Sequence, residues 1–333
     1  MKNQMMSAVE AGLLIQSGKI LMIAGDEGVL RSLPNGNWIG GTSVYFMTET
    51  GGREDRENVF VTEISEAVAH KTRYIPTSEL SSIASQRFGN GATFVIVPAM
   101  SSAHVSYATD AAGYEDIFAQ PVMGWIAGVH LDEIGATTAK VVDGATGEMY
   151  DDGIVVLHTE FTAGRAADVD IINLFEQDQS ADELIFEEGG FELTNVIVNG
   201  EKRNFAEYIA ENEINTELPL VANYAGAMIN ASFQAVDADA RKVNMYAPIM
   251  PGTEYRIAKG FGDYTETFAS VITEGGENAL SCNCILNYVY GQLEGKSTGN
   301  FTGPITFGEI AYVLLNQTLV RVSAVEAEAV AVA

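Results

Sequence analysis

The alternation of apolar and polar positions divides this chain into short apolar runs separated by turns. Residues 11–25 end in an apolar run and predict a buried strand that enters a turn. The run from Trp38 to Met47 predicts a second strand with a glycine pair inside it, and Phe94-Val-Ile-Val predicts a third. Leu33-Pro-Asn-Gly-Asn is typical of a turn. Short strands joined by turns therefore dominate the first half.

Helical spacing occurs mainly in the second half. Asn204, with Glu207 three residues later, predicts a capped helix that runs to about Asn212. Residues 264–273 predict another helix. A third helix is predicted after the cysteines, ending at Gly295, from the apolar positions Ile285, Leu286, Val289 and Leu293.

The length and the boundaries of these elements predict the overall organisation. A chain of 333 residues is long for one core, so we expect two domains or one two-lobed domain. The small, polar stretch from Phe161 to Asp168 is the best boundary, which gives lobes at 1–165 and 166–324 and a tail at 325–333 that frays. The predicted fold class is α/β or α+β, with two sheet-containing lobes, flanking helices and mixed sheets.

The charge of the chain excludes some partners. The formal net charge is −27, with 45 acidic and 18 basic residues, so a nucleic-acid backbone and an anionic membrane surface would both be repelled. No apolar run approaches the roughly 18 residues that a membrane-spanning helix needs. The N-terminus lacks the pattern of a signal peptide. We therefore expect no nucleic-acid binding, no membrane insertion and a cytoplasmic location.

The cysteines, Cys282 and Cys284, are separated by one residue, too close for an ordinary disulfide. Such a pair is a poor metal site without further ligands nearby in sequence, so no metal site is predicted. We interpret both as small apolar residues at the start of a buried helix. A reactive thiol is the alternative, because a helix N-terminus lowers a thiol pKa.

Both tryptophans of the chain stand in similar segments, Trp38-Ile-Gly-Gly-Thr and Trp125-Ile-Ala-Gly-Val. Glycine within a strand permits close approach of a ligand or of another backbone. Gly40 and Gly41 are therefore candidate ligand-lining residues. Two similar packing corners, or chance, are the alternative interpretations.

Four segments near the C-terminus carry a family resemblance: Ser281-Cys-Asn-Cys-Ile-Leu-Asn-Tyr, Gln292-Leu-Glu-Gly, Gly303-Pro-Ile-Thr-Phe-Gly-Glu-Ile and Leu315-Asn-Gln-Thr-Leu. In this order they resemble the C-terminal half of the FIST family, which comprises bacterial sensory input domains that bind small ligands. Ile39-Gly-Gly-Thr-Ser, Pro121-Val-Met-Gly and Asp151-Asp-Gly-Ile-Val-Val resemble features of the N-terminal half. We recognise no kinase, cyclase or receiver sequence within these 333 residues, whereas such modules usually accompany that family.

The resemblance implies a sensory ligand-binding protein without catalysis of its own, and a signalling protein as its partner. Polar residues in apolar segments are the candidate ligand contacts: Asn223, Tyr224, Asn283 and Glu309, together with Cys282. Glu309 would pair the amino group of an amino-acid-like ligand. Its alternative role is a turn residue that caps backbone amides.

Two other functional classes stay open. A Cys282 nucleophile would need a histidine base from the first half, since no histidine follows His158. An acidic scaffold would instead bind a basic protein partner. No cofactor is expected, and haem bound through a histidine is the alternative that the resemblance implies; the histidines are His70, His104, His130 and His158.

Overall fold

The computed structural model describes residues 1–224, 227–271 and 279–327, and within them the fold is α+β with mixed sheets. The helices are α1 (Ala8–Gln16), α2 (Glu27–Arg31), α3 (Ser102–Asp110), α4 (Phe205–Glu211), α5 (Tyr264–Val271) and α6 (Ile285–Tyr290). The strands are β1 (Lys2–Ser7), β2 (Leu21–Gly25), β3 (Trp38–Thr42), β4 (Tyr45–Thr48), β5 (Gly51–Glu54), β6 (Asn58–Glu63), β7 (Ala67–Ile75), β8 (Gly91–Pro98), β9 (Val122–Ala127), β10 (Val141–Asp143), β11 (Glu148–Tyr150), β12 (Ile154–Phe161), β13 (Arg165–Ile172), β14 (Leu184–Ile185), β15 (Gly190–Leu193), β16 (Asn195–Val198), β17 (Glu201–Asn204), β18 (Leu220–Tyr224), β19 (Ala227–Ala231), β20 (Phe233–Asp237), β21 (Lys242–Ile249), β22 (Glu254–Ile257), β23 (Leu280–Cys284), β24 (Gly303–Thr306), β25 (Glu309–Ala311), β26 (Val313–Leu315) and β27 (Leu319–Glu326).

The described strands form five sheets. Sheet I has the order β1-β6-β2-β3-β10-β11, sheet II the order β26-β25-β9-β8-β12-β7, and sheet III the order β13-β27-β23-β24-β4-β5. Sheet IV has the order β17-β16-β14-β22-β18-β19 and sheet V the order β15-β21-β20. Sheets I, II and III are mixed, because β2–β3, β8–β9 and β23–β24 pair in parallel and their other neighbours are antiparallel.

Sheets II and III combine strands from both halves of the chain. Glu309 of β25 pairs with Trp125 of β9, and Gly303 of β24 pairs with Met47 of β4. β27 returns along β13, so that Glu326 pairs with Arg165. The division at residue 165 stays a prediction, and 328–333 of the predicted tail lie outside the described residues.

One apolar cluster joins sheets I, II and III. Large buried side chains from each sheet contribute to it, among them Ile39, Phe94, Trp125, Cys282 and Val320. Burial of such surface is the main favourable term in folding. The C-terminal strands are thus fixed against a core built largely by the first half.

None of the helices in the described ranges has the length and apolar character that crossing a lipid bilayer requires.

Several local predictions are corrected by the structure. Residues 11–16 belong to α1 and not to a strand, because Ser7 and Glu10 form a capping box that starts a helix there. The helix after the cysteines ends at Tyr290, with Gly291 as its C-cap, and not at Gly295. Residues 272 and 273 of the second predicted helix lie outside the described residues. The Asn204 cap is confirmed, since its side chain accepts from the Glu207 amide.

The two tryptophan segments lie against each other where sheet I meets sheet II. A Cβ placed on Gly41 would lie 2.6 Å from Ile96 Cγ2 and 3.3 Å from Trp125 Nε1. A Cβ placed on Gly40 would lie 2.9 Å from the carbonyl oxygen of Ile23. Both glycines therefore permit close packing, which is one of the three interpretations that the sequence left open.

Gly41→Ala is predicted to lower the free energy of unfolding by about 1–3 kcal/mol, because the added methyl group overpacks the contact between the sheets. Gly89→Ala is the matched control, since a methyl group placed on Gly89 would have no neighbour within 4 Å. Urea unfolding of both variants measures the difference. Equal stability of the two variants would contradict the packing role of Gly41.

Candidate functional site

Glu309 is fully buried at the start of β25. Gly308, at φ +152°, forms the turn before it, and this turn is bonded to Ile126 of β9. The Glu309 carboxyl accepts three hydrogen bonds: Oε1 from Thr306 Oγ1 at 3.2 Å, and Oε2 from Thr318 N at 3.2 Å and from Thr318 Oγ1 at 2.8 Å. A single side chain thus connects the β24–β25 turn to the segment between β26 and β27.

Burial raises the pKa of Glu309 to about 8, although the hydrogen bonds from Thr318 and Thr306 favour the charged form. The desolvation of the carboxylate outweighs the donors from Thr318, Thr306 and Cys284, and no cation is among the largest influences on its pKa. At neutral pH the carboxyl group is therefore largely protonated and can itself donate a hydrogen bond.

Buried amides and hydroxyls surround Glu309. We call this group the polar cluster and define it by Asn283, Asn287, Thr306, Glu309, Asn316, Gln317 and Thr318, all buried. Asn287 Nδ2 donates to Asn283 Oδ1 at 3.0 Å and to the Thr318 carbonyl oxygen at 3.1 Å. The cluster therefore links β23, α6, β25 and the segment before β27. Hydrogen bonding of this kind is what buried polar groups require.

The polar cluster also bonds to the segment that joins sheets IV and V. Ser232 N donates to Asn316 Oδ1 at 3.2 Å, and Ser232 Oγ donates to Gln317 Oε1 at 2.6 Å. Asn230 Nδ2 donates to the Gln317 carbonyl oxygen at 3.2 Å. Asn230 and Ser232 thus hold two parts of the fold together.

The cysteines lie on β23, and not on a helix as predicted; Cys284 is only the N-cap of α6. Burial raises the pKa of both thiols well above the ordinary value, and Glu309 raises it further in its ionised form. Reactive cysteines need the opposite conditions, a lowered pKa and partial exposure. A nucleophilic role for Cys282 is therefore not supported by its surroundings.

A cavity of about 350 Å³, which we call the polar cavity, lies beside α6. Its wall includes the cluster residues Asn287 and Gln317 and the aromatic side chains of Tyr264 and Tyr290. Lys296 and Asp263 also line it, and Lys296 Nζ lies 3.6 Å from Asp263 Oδ2. Asn287 Oδ1 is buried and has no hydrogen-bond partner among the described residues.

A second cavity of about 310 Å³, which we call the apolar cavity, contacts other positions of α6. Ile285, Leu286 and Val289 line it together with His104 and Asn316. Tyr290 lines both cavities. α6 and the polar cluster therefore stand between two spaces of different chemistry, each within the size range of small-molecule sites, about 300–1,000 Å³.

The structure brings together Cys282, Asn283 and Glu309 from the predicted site, but none of the predicted residues whose side chains it describes lines either cavity. Asn223 is exposed on β18 of sheet IV. Tyr224 ends the same strand, and its side chain lies outside what the structure describes. Direct contact of these residues with a ligand stays a prediction.

Asn287 and Lys296 are residues of the site that the sequence pattern did not single out. Asn287, like Asn283, is a polar residue in an otherwise apolar segment, and buried polar groups of this kind need hydrogen-bond partners. That pattern was a usable signal. Lys296 gave none, because a lysine in a polar loop is ordinary.

Haem binding through a histidine stays a prediction. His104 lines the apolar cavity. His158 is buried and bonded to Thr93 Oγ1 at 3.0 Å, and His130 stacks on Tyr45. The described residues also contain no group of three or more potential metal ligands.

The comparisons with known proteins give a family but no activity. The model of a family of unknown function (DUF6976) matches residues 6–325, and the chain belongs to this family. No curated protein matches the chain.

The buried Glu309 predicts a specific dependence of stability on pH. The folded protein keeps the proton up to about pH 8, whereas the unfolded chain releases it near the ordinary value of 4.5. The stabilisation from this group is therefore complete below pH 4.5, falls by roughly 1.4 kcal/mol per pH unit as the pH rises, and is lost above about pH 8.

Glu309→Gln lacks this titration, so the stability of the natural protein relative to the variant should fall between pH 5 and pH 8. Urea unfolding at several pH values measures this difference, with the exposed Glu115→Gln as control. A relative stability that stays constant over this range would show that Glu309 is already ionised in the folded protein.

Proposed function

We propose that this protein binds a small, polar, amino-acid-like molecule in the polar cavity and serves as a sensory input protein without catalysis of its own. The observation that carries the proposal is the cavity wall. It contains a buried amide oxygen, Asn287 Oδ1, that has no donor among the described residues. Leaving a buried acceptor unpaired costs roughly 1–3 kcal/mol, which a donor group of a ligand would recover.

The charges around the polar cavity favour a zwitterion. Lys296 offers a donor to a carboxylate, and Asp263 and Glu217 offer acceptors to an ammonium group. Lys296 and Asp263 are exposed enough to exchange their mutual contact for contacts with a ligand. Aromatic side chains supply the apolar surface that small-molecule sites require; they are Phe261, Tyr264 and Tyr290. In this proposal Glu309 holds the wall, and its contact with the ligand is indirect.

The sensory role rests on the resemblance of residues 281–319 to the FIST family and on the position of α6. A ligand in the polar cavity touches Asn287 and Tyr290 of a helix that also borders the apolar cavity. A ligand-induced shift of α6 would then change the surface that a signalling partner contacts.

We place the protein in the cytoplasm, which suits two free cysteines. A strongly acidic surface that binds a basic protein is the alternative function, motivated by the net charge of −27.

The proposal is tested by equilibrium dialysis of the purified chain against an equimolar panel of amino acids and other small zwitterions, with mass spectrometry as the readout. We expect one chemical class to be retained by the natural protein. Gly262→Phe should weaken retention by more than about tenfold, because Gly262 lines the polar cavity with open space beyond its Cα.

Gly89→Phe is the matched control, since Gly89 also faces open space but lies in a loop of the first half. It should retain the ligand fully. Retention of no compound, or equal retention by Gly262→Phe and the natural protein, would overturn the proposed site. Selective capture of basic proteins without retention of any small molecule would favour the acidic scaffold.

A further inference from the structure

The apolar cavity opens through a concentration of exposed apolar side chains. Among the described residues, twelve large apolar side chains are exposed, and five of them line this one cavity. These five are Met100, Val105, Ile134, Val289 and Tyr290. Scattered exposed apolar residues are ordinary, but a contiguous group of them around a concave space is typical of a binding site.

His104 gives this cavity a hydrogen-bond donor of known position. His104 is half-buried, with Nε2 itself out of contact with solvent, and desolvation lowers the pKa of the ring to about 4, so it is neutral at physiological pH. Its Nδ1 accepts a hydrogen bond from the Met100 amide at 3.2 Å. A neutral imidazole carries one proton, which must therefore reside on Nε2.

His104 Nε2 is buried and has no acceptor among the described residues. The backbone of His104 is fixed by the Ser101 Oγ atom, which accepts from the His104 amide at 3.0 Å. The ring is held by the Met100 amide on Nδ1 and lies edge-on to the ring of Phe191, at 6.4 Å between centroids. A fixed N–H donor without an acceptor, in a cavity wall that is otherwise mainly apolar, calls for a ligand that carries the acceptor.

We propose that the apolar cavity is a second small-molecule site, which binds a compound with an aromatic or branched aliphatic body and one uncharged hydrogen-bond acceptor directed at His104 Nε2. The volume of about 310 Å³ suits a body of one ring with a short substituent. The occupant differs in chemistry from the zwitterion of the polar cavity, and the site does not depend on that function.

Two probes with the same carbon skeleton separate the roles of the cavity and of the donor. Acetophenone has an apolar ring and a carbonyl acceptor, whereas ethylbenzene lacks the acceptor. Calorimetric titration of the full chain should show saturable binding of both compounds. The two dissociation constants are compared after the free energy of transfer of each compound from water to an apolar solvent has been subtracted. On that basis acetophenone should bind roughly tenfold more tightly than ethylbenzene. In His104→Phe this preference should vanish.

A variant that fills the cavity keeps the proposal testable if His104→Phe does not fold. Val105→Trp places an indole at the mouth of the cavity, from a helix position that is 48% exposed, and should abolish binding of both probes. Val9→Trp, on a helix position that is 75% exposed and remote from the cavity, should leave binding unchanged. Gly262→Phe should also leave it unchanged, which separates this site from the polar cavity.

Three results would overturn the inference: no saturable binding of either probe, equal binding by Val105→Trp and Val9→Trp, or no preference for acetophenone in the natural protein. Sedimentation velocity covers a further outcome. If the natural chain is a dimer that Val105→Trp dissociates, a second copy covers this face and the small-molecule site is refuted.

Discussion

The burial of a single carboxyl group, that of Glu309, constrains the second half of this protein. Placing it at zero exposure costs free energy that three hydrogen bonds from Thr306 and Thr318 recover only in part, so its pKa rises to about 8. The donors come from both sides of the β25–β26 hairpin. The turn at Gly308, the segment 316–318 and the start of β27 must therefore keep fixed relative positions for the carboxyl group to remain satisfied.

The polar cluster around Glu309 fixes α6 in its position between the two cavities. Asn287 ties the helix to Asn283 and to the Thr318 carbonyl oxygen, while Ser232 ties the same cluster to the strands of the second half. Half-satisfied polar networks are costly in a low-dielectric interior. Two buried atoms of this cluster, Asn283 Nδ2 and Asn287 Oδ1, have no partner among the described residues, and Asn287 lines a cavity. The structure thus places an incomplete hydrogen-bond network beside a space of small-molecule size, and this juxtaposition motivates the proposed ligand.

The sequence predicted an element correctly where the contacts that form this element lie within a few residues of each other. The Asn204 cap was predictable because its acceptor and donor lie three residues apart, and the fold class followed from short apolar runs and turns. The helix at Ala8–Gln16 was equally marked by Ser7 and Glu10, but the apolar run at 20–24 dominated the interpretation of that segment. Cys282 and Cys284 were placed on a helix because apolar spacing alone does not distinguish a short buried strand from a helix.

The candidate site depended on distant contacts and was only partly predictable. Asn283 and Glu309 were singled out as polar residues in apolar segments, and they do lie in one cluster. Their burial behind the cavity wall could not be read from the sequence, because it results from the pairing of β25 with β9 and of β23 with β27. For the same reason Gly41 was recognised as a close-approach position, while its neighbour Ile96 was not.

The central claim is that a neutral, buried Glu309 organises the wall between the two cavities. It is tested most directly by carbon-13 NMR of the full chain labelled at the glutamate carboxyl carbons, with the Glu309 resonance assigned by its loss in Glu309→Gln. The account predicts a titration midpoint near pH 8 for this resonance. A midpoint at or below the ordinary value of 4.5 would contradict it and would mean that an ionised Glu309 is stabilised by interactions that this account does not contain.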